Sequence, residues 1–204
     1  HNINMASILR VLILAYLGVK AGEACKCFVA HPQSQFCSSD FVLLANIVNE
    51  TIHRESQWTG TRVYGIDVIS AFKGTRYSQV STPLDGAACG VQLEVGQQYV
   101  FTGYTRNDVG QIASCGFQKK WSSLTRDQQR GFGTKYAKNC RCEVCDERRK
   151  DCPTMSCMRP YNSNWKMTAC LDKHSVCTKT CLVQRGCACG WNHTSGYRRC
   201  MSES

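Results

Sequence analysis

Apolar and polar positions between residues 41 and 117 follow patterns that predict strands. Phe41 to Val48 is an almost unbroken apolar run, as in a strand buried on both faces. Arg62 to Ile69 alternates, is rich in β-branched residues and runs out at Lys73-Gly74. Val91 to Val95 is a short third candidate ending at Gly96, and Gln98 to Tyr104 is dense in strand formers. Ile112 to Phe117 is a fifth. One helix start stands out. In Thr125-Arg126-Asp127-Gln128 the threonine hydroxyl can accept from the backbone N–H three residues on while the glutamine reaches back, a capping box. Five short strands and a flanking helix predict a mainly β fold, a partly open five-stranded barrel of the OB type.

The apolar run from Val11 to Val19 has a different character. It follows Arg10 and is about nine residues long, whereas a membrane-spanning helix needs ~20. Its length suits the apolar region of a secretory signal. Gly22 and Ala24 place small residues at −3 and −1 before Cys25, so residues 1–24 are read as a signal peptide cleaved after Ala24, with leader residues before Met5. No other stretch is apolar enough to span a membrane, and the expected localisation is secreted and extracellular.

Secretion changes the meaning of the composition. The chain holds 16 cysteines in 204 residues, a density close to that of disulfide scaffolds. All of them follow Ala24, and an oxidising pathway favours disulfides over zinc or thiol-redox roles. Cys25, 27, 37, 89, 115 and 140 are spread through long patterned stretches; the other ten crowd into residues 142–200. This divides the mature chain into a domain over 25–140 and a cysteine-rich C-terminal domain over 141–204. The latter is too small to rely on an apolar core. Its ten cysteines allow hundreds of pairings, and the sequence selects none. A hydrophobic share of 43% excludes wholesale disorder, and 4 prolines with 16 glycines exclude a collagen-like chain. The net charge of +10 falls by only one in the mature part, because the signal removes Arg10, Lys20 and Glu23, so the basicity belongs to the mature chain. Glu147 to Lys150 and Arg198-Arg199 are equally readable as a solvated face or as a surface for glycosaminoglycan or matrix. Asn49 and Asn192 begin sequons and are glycosylation candidates.

The mature start, Cys25-Lys26-Cys27-Phe28-Val29-Ala30-His31-Pro32-Gln33, continuing to Phe36-Cys37-Ser38-Ser39-Asp40, resembles that of the tissue inhibitors of metalloproteinases. Thr82 to Gly90, Trp121 to Leu124, Gln129 to Phe132, Tyr136 and Cys140 extend the resemblance over about residues 25–145. The family implies a netrin-like form of the OB barrel and disulfides Cys25–Cys89, Cys27–Cys115 and Cys37–Cys140. It also implies a mechanism. The α-amino nitrogen and carbonyl oxygen of Cys25 chelate the catalytic zinc of the target protease, at the position a protease zinc keeps open for water. An α-amino pKa of about 8 keeps deprotonation inexpensive near neutral pH. Lys26 would enter the pocket after the scissile bond, and Cys27, Phe28, Val29, Ala87, Ala88 and Cys89 would complete the contact.

Three features depart from that pattern. Lys26 replaces a small hydroxyl residue, and an ammonium is costly to bury unpaired. Ala87 and Ala88 trim the contact, and the C-terminal region carries extra cysteines. An alternative follows: a non-inhibitory netrin-like module that binds a receptor or matrix. His31-Pro32 is read as a structural turn, and Cys142-x-x-Cys145 and Cys187-x-Cys189 near His193 as disulfide cysteines. No Ser/His/Asp spacing, phosphate loop or metal motif suggests an enzyme. The expected protein is a monomeric inhibitor of zinc metalloendopeptidases with no cofactor of its own and no nucleic-acid partner.

Overall fold

β1 (Phe41–Arg54) carries the apolar run and is buried on both faces over its first half. Phe41, Leu43, Ala45 and Ile47 point one way, into a cluster with Tyr64, Ile66, Val80, Tyr99, Phe101 and Ile112. Val42 points the other way, against Phe36, Val100, Phe117, Leu124, Phe132 and Tyr136. The period-2 geometry of a strand is what lets one run serve two cores. The computed structural model describes residues 25–57, 59–161, 164–182 and 186–203, so the predicted signal segment 1–24 lies outside the described residues.

Around β1 the sheet gathers β2 (Gly60–Lys73), β3 (Gln79–Pro83), β4 (Gln98–Arg106), β5 (Val109–Gln111) and β6 (Gln118–Lys120). The strand order is β1-β2-β3-β5-β4-β6, and a further β1–β4 pairing closes a ring of five strands. Only β3 and β5 pair in parallel within it. The mainly β reading therefore holds. At Gly103 on β4 a Cβ would lie 2.3 Å from the Phe41 ring and 2.3 Å from the Gln111 carbonyl oxygen, so the ring closes there only without a side chain.

Two predicted strands are not strands, and three strands of this sheet, β3, β5 and β6, were not predicted. Val91 and Leu93 are buried, but the N–H of Val91 donates to the Thr82 hydroxyl at 3.0 Å and that of Leu93 to the Tyr64 hydroxyl at 2.7 Å. Side-chain oxygens replace the ladder partner, so the alternation is real and the strand is not. Residues 112–117 bend instead, with Gly116 N–H bonded to Ala113 O at 2.8 Å, and carry Cys115 toward Cys27. β3 has a single strong hydrophobe, Val80, and its buried Ser81 and Thr82 read as loop residues.

The capping box forms as predicted at the start of α2 (Arg126–Arg130), which runs through a wider turn at Gly131–Lys135 into α3 (Tyr136–Lys138). α1 (Pro32–Ser38) begins with Pro32 at its first turn, where a missing N–H costs nothing. Beyond Cys140 come the parallel pair β7 (Glu143–Asp146) and β8 (Ser156–Arg159), then α4 (Trp165–His174), a hairpin of β9 (Ser175–Leu182) and β10 (Gly186–His193), and α5 (Ser195–Ser202). Five bridges hold this region: Cys142–Cys189, Cys145–Cys152, Cys157–Cys177, Cys170–Cys200 and Cys181–Cys187. Half-cystines Cys142, Cys157 and Cys177 are themselves its buried centre. No helix among the described residues is long and apolar enough to cross a membrane.

The seam between the ring and these later elements is polar and saturated with hydrogen bonds. Gln33, 1% exposed, donates to the carbonyls of Asn139 and Cys177 and accepts from the Cys177 N–H. Thr125 donates to Lys173 O and Gln128 to Asp172 O. Asp127 accepts from the His174 ring and the Thr194 hydroxyl. His31 is also 1% exposed; its Nε2–H donates to Leu171 O and its Nδ1 accepts from the Gln33 N–H. That donor–acceptor pair fits a neutral imidazole.

Burial pushes the His31 pKa down to about 4, against the raising influence of Asp172 and with the lowering influence of Arg159. The unfolded chain therefore binds this proton more readily than the folded one. The associated stability is complete above pH ~6.5 and declines as pH falls toward 4. Urea unfolding of the wild type from pH 7 to pH 4 should show a loss of about 3 kcal/mol that His31→Asn, which keeps a capping side chain, does not show. Equal pH slopes for the two proteins would mean that His31 does not titrate on unfolding.

Candidate functional site

The segment 25–30 has no regular secondary structure, and cross-links hold its first part in place. Cys25 is bonded to Cys89 and Cys27 to Cys115. The third bridge, Cys37–Cys140, fixes the C-terminal end of α1. Gln35 on α1 adds a hydrogen bond from its amide to Cys115 O at 3.1 Å. The strip then ends at the capped helix start, where His31 is packed against Tyr136 and Trp191. His31 is thus a structural cap.

Residues 85–90 form the opposite bank. Asp85 caps a single tight helical turn, Gly86–Ala88, accepting from the Ala87 N–H at 3.0 Å. The chain then turns sharply at Cys89, whose φ of 65° is left-handed. That conformation is disfavoured for a residue with a Cβ. It is held by the Cys89 N–H bond to Gly86 O, the Gly90 N–H bond to Asp85 O and the Ser114 N–H bond to Cys89 O. The two banks meet where the Cys25 backbone nitrogen donates to Ala87 O at 3.0 Å.

The predicted contact residues lie on the two banks that meet here. Lys26, Cys27, Phe28, Val29, Ala87 and Ala88 are exposed, and Cys25 and Cys89 are half-buried. Phe28 and Val29 stand 75% and 77% exposed, far beyond what a folding requirement explains. They are adjacent exposed hydrophobes on a cross-linked strip. The sulfurs of Cys25, Cys27, Cys89 and Cys115 lie within 4.8 Å of one another. All four are committed to disulfides, so no thiolate is available there to bind a metal. The remaining donors at Cys25 are its backbone nitrogen and carbonyl, and among the described residues no backbone N–H donates to that carbonyl.

Other sequence-derived positions lie away from the ridge. Asn49 is exposed on β1 and accepts from the Gly65 N–H through its side-chain oxygen. Asn192 is exposed on β10. In the basic cluster, Arg148 is paired with Asp146, and Arg149 with Glu143 and Asp151, so much of its charge is neutralised locally. Sequence reasoning missed Gln33, Gln35 and Ser114, whose Oγ sits 3.3 Å from the Cys25 sulfur. Polar residues on a short helix or in a loop carry no pattern that separates a buried tie from a solvated side chain.

Comparisons with known proteins match this arrangement. The family model described as tissue inhibitor of metalloproteinase matches residues 23–191. A tissue inhibitor of metalloproteinase of Drosophila melanogaster is 26% identical, the match covering 98% of this chain and 97% of that protein. Metalloproteinase inhibitor 3 of Scyliorhinus torazame is 29% identical over 84% of this chain and 82% of its own length. Metalloproteinase inhibitor 4 of Rattus norvegicus is 33% identical over 70% and 68%. A family match that spans the ridge, the five-stranded ring and most of the disulfide-rich region shows that this chain belongs to the tissue inhibitor of metalloproteinase family.

Proposed function

We propose that the chain is a secreted inhibitor of zinc metalloendopeptidases that uses Cys25 as a backbone chelator. The observation that carries this reading is the placement of the Cys25 nitrogen: it is bonded to Ala87 O, on a strip clamped by two disulfides and flanked by exposed side chains. After cleavage behind Ala24, that nitrogen is a primary amine. A neutral amine has two N–H bonds and a lone pair. With one N–H directed to Ala87 O, the lone pair and the Cys25 carbonyl oxygen are offered together as a five-membered chelate. The protease's zinc would otherwise activate a water for attack on the peptide. Occupying that position with two donors from a cross-linked strip stops the reaction without covalent chemistry.

Affinity then depends on how little is lost on binding. A free tail would lose conformational freedom on association, whereas a cross-linked strip has lost it already during folding. Lys26 follows the chelating residue and enters the pocket beyond the scissile bond. Its flexible stem can lie along apolar walls while the ammonium reaches polar groups at the far end. Proteases with closed apolar pockets are therefore poor targets.

Two experiments test the reading. Adding one alanine before Cys25 converts the amine into an amide, which has no lone pair to offer. Inhibition should fall by more than about a hundredfold across a panel of matrix-degrading proteases, consistent with loss of several kcal/mol of binding. An extended form that inhibits as well as the mature chain removes the chelation mechanism. If the correctly processed chain shows no inhibition at micromolar concentration, the non-inhibitory module is the better description. Separately, Lys26→Thr should tighten inhibition of proteases with closed apolar pockets by about tenfold or more, because no ammonium is then desolvated. Unchanged inhibition constants across the panel would show that residue 26 does not enter the pocket.

A further inference from the structure

We infer that Arg148, which lies outside the ridge and in the disulfide-rich region, is the residue that positions Phe28 within it. The inference rests on the inhibitory reading above for its consequence, but its geometry stands alone. Residues 28–30 form a gap in the clamping: the second disulfide ends at Cys27, and the buried helix cap begins at His31. Phe28 sits in that gap without a core to hold it. The Arg148 guanidinium lies 5.0 Å from the centre of the Phe28 ring. The same guanidinium lies 3.1 Å from the centre of the Tyr161 ring.

Each part of this stack is fixed from behind. Arg148 Nε donates to Asp146 Oδ1 at 2.8 Å and Nη2 to Asp146 Oδ2 at 3.3 Å, a two-pronged bond that sets the guanidinium plane. Asp146 closes β7, beside Cys145, which is bonded to Cys152. The Tyr161 N–H donates to Glu147 Oε1 at 2.7 Å, tying the other ring to the same turn. A planar cation can be shared between two rings; an ammonium is a point charge and cannot span both. The strip and β7 also form two walls of a cleft of about 650 Å³, into which Phe28, Val29 and Val144 face. Arg148 lines that cleft beside Phe28, so the disulfide-rich region sets the orientation of a ridge residue it does not itself contain.

Two measurements on the full mature chain test this, and the first does not depend on inhibition. Backbone ¹⁵N relaxation should give Phe28 and Val29 ordered values in the wild type, near those of β1. In Arg148→Ala the values should fall toward the flexible range, while those at β1 and the melting temperature stay unchanged; Arg148→Lys should restore only part of the order. Order at residues 28 and 29 that is the same in wild type and Arg148→Ala overturns the proposal, whether or not the chain inhibits any protease. The second is a double-mutant cycle on the inhibition constant. Arg148→Ala should weaken inhibition roughly twofold to fivefold, the range of a cation–π contact at an exposed site, and should have no further effect in the Phe28→Ala background. Equal effects in both backgrounds overturn the positioning role while leaving the chelation mechanism intact. A wild-type chain that inhibits nothing removes the inhibitory reading and, with it, the functional consequence of the stack.

Discussion

The ridge depends on one constraint: a strip with no hydrogen-bonded ladder of its own is held in place by covalent bonds. Cys25–Cys89 and Cys27–Cys115 close loops of 64 and 88 residues, and in the chain-entropy model each such closure is worth roughly 4–5 kcal/mol when taken singly. That energy is drawn from the unfolded ensemble. It therefore stabilises the strip without requiring it to bury its side chains, and Lys26, Phe28 and Val29 stay available to a partner. A strip held by apolar packing would have had to hide the very groups it presents.

The two parts of the molecule use this resource differently. In the five-stranded ring the disulfides are peripheral, and stability comes from two apolar clusters on either side of β1. Among the described residues of 142–200 the half-cystines replace the core itself, and little else is buried there beyond Arg159, Leu171, Ser175 and Val176. The seam joining them is made of directional bonds through His31, Gln33, Thr125 and Gln128. A polar seam of this kind fixes relative orientation more than it adds stability, because each bond exchanges for one with water on separation.

How much of this was readable from the residues varies with the physics involved. β1, β2 and β4 were legible because their burial follows strand periodicity, and α2 because a capping box is a local chemical signature. β3 was not, since much of its burial comes from the polar residues Ser81 and Thr82, the latter's hydroxyl accepting from the distant Val91 N–H. Residues 91–95 misled for the converse reason: their alternation reports burial, and only the Thr82 and Tyr64 hydroxyls decide that no ladder forms. The ridge was legible only through the resemblance of the segments Cys25 to Asp40 and Thr82 to Gly90 to the inhibitor family, which implied the Cys25–Cys89 bridge. Its geometry was not: the left-handed turn at Cys89 and the bond from the Cys25 nitrogen to Ala87 O join segments more than sixty residues apart. The role of Arg148 was hidden in a run of charges that reads equally well as a solvated face.

The hairpin of β1 and β2 has a consequence of its own. The last seven residues of β1 are exposed, a length of about 24 Å at the rise of an antiparallel strand. Its base is locked into two cores, and its outer half is held by its pairing with β2, the Arg62–Glu50 ion pair and the bond from the Gly65 N–H to Asn49. The facing part of β2 is not exposed in the same way, since Arg62 and Tyr64 are buried and Thr61 to Gly65 also pair with β3. The seven exposed side chains of β1 therefore stand on a backbone whose register the sheet fixes, so substitutions there change the chemistry of the surface and leave the strand pairing in place.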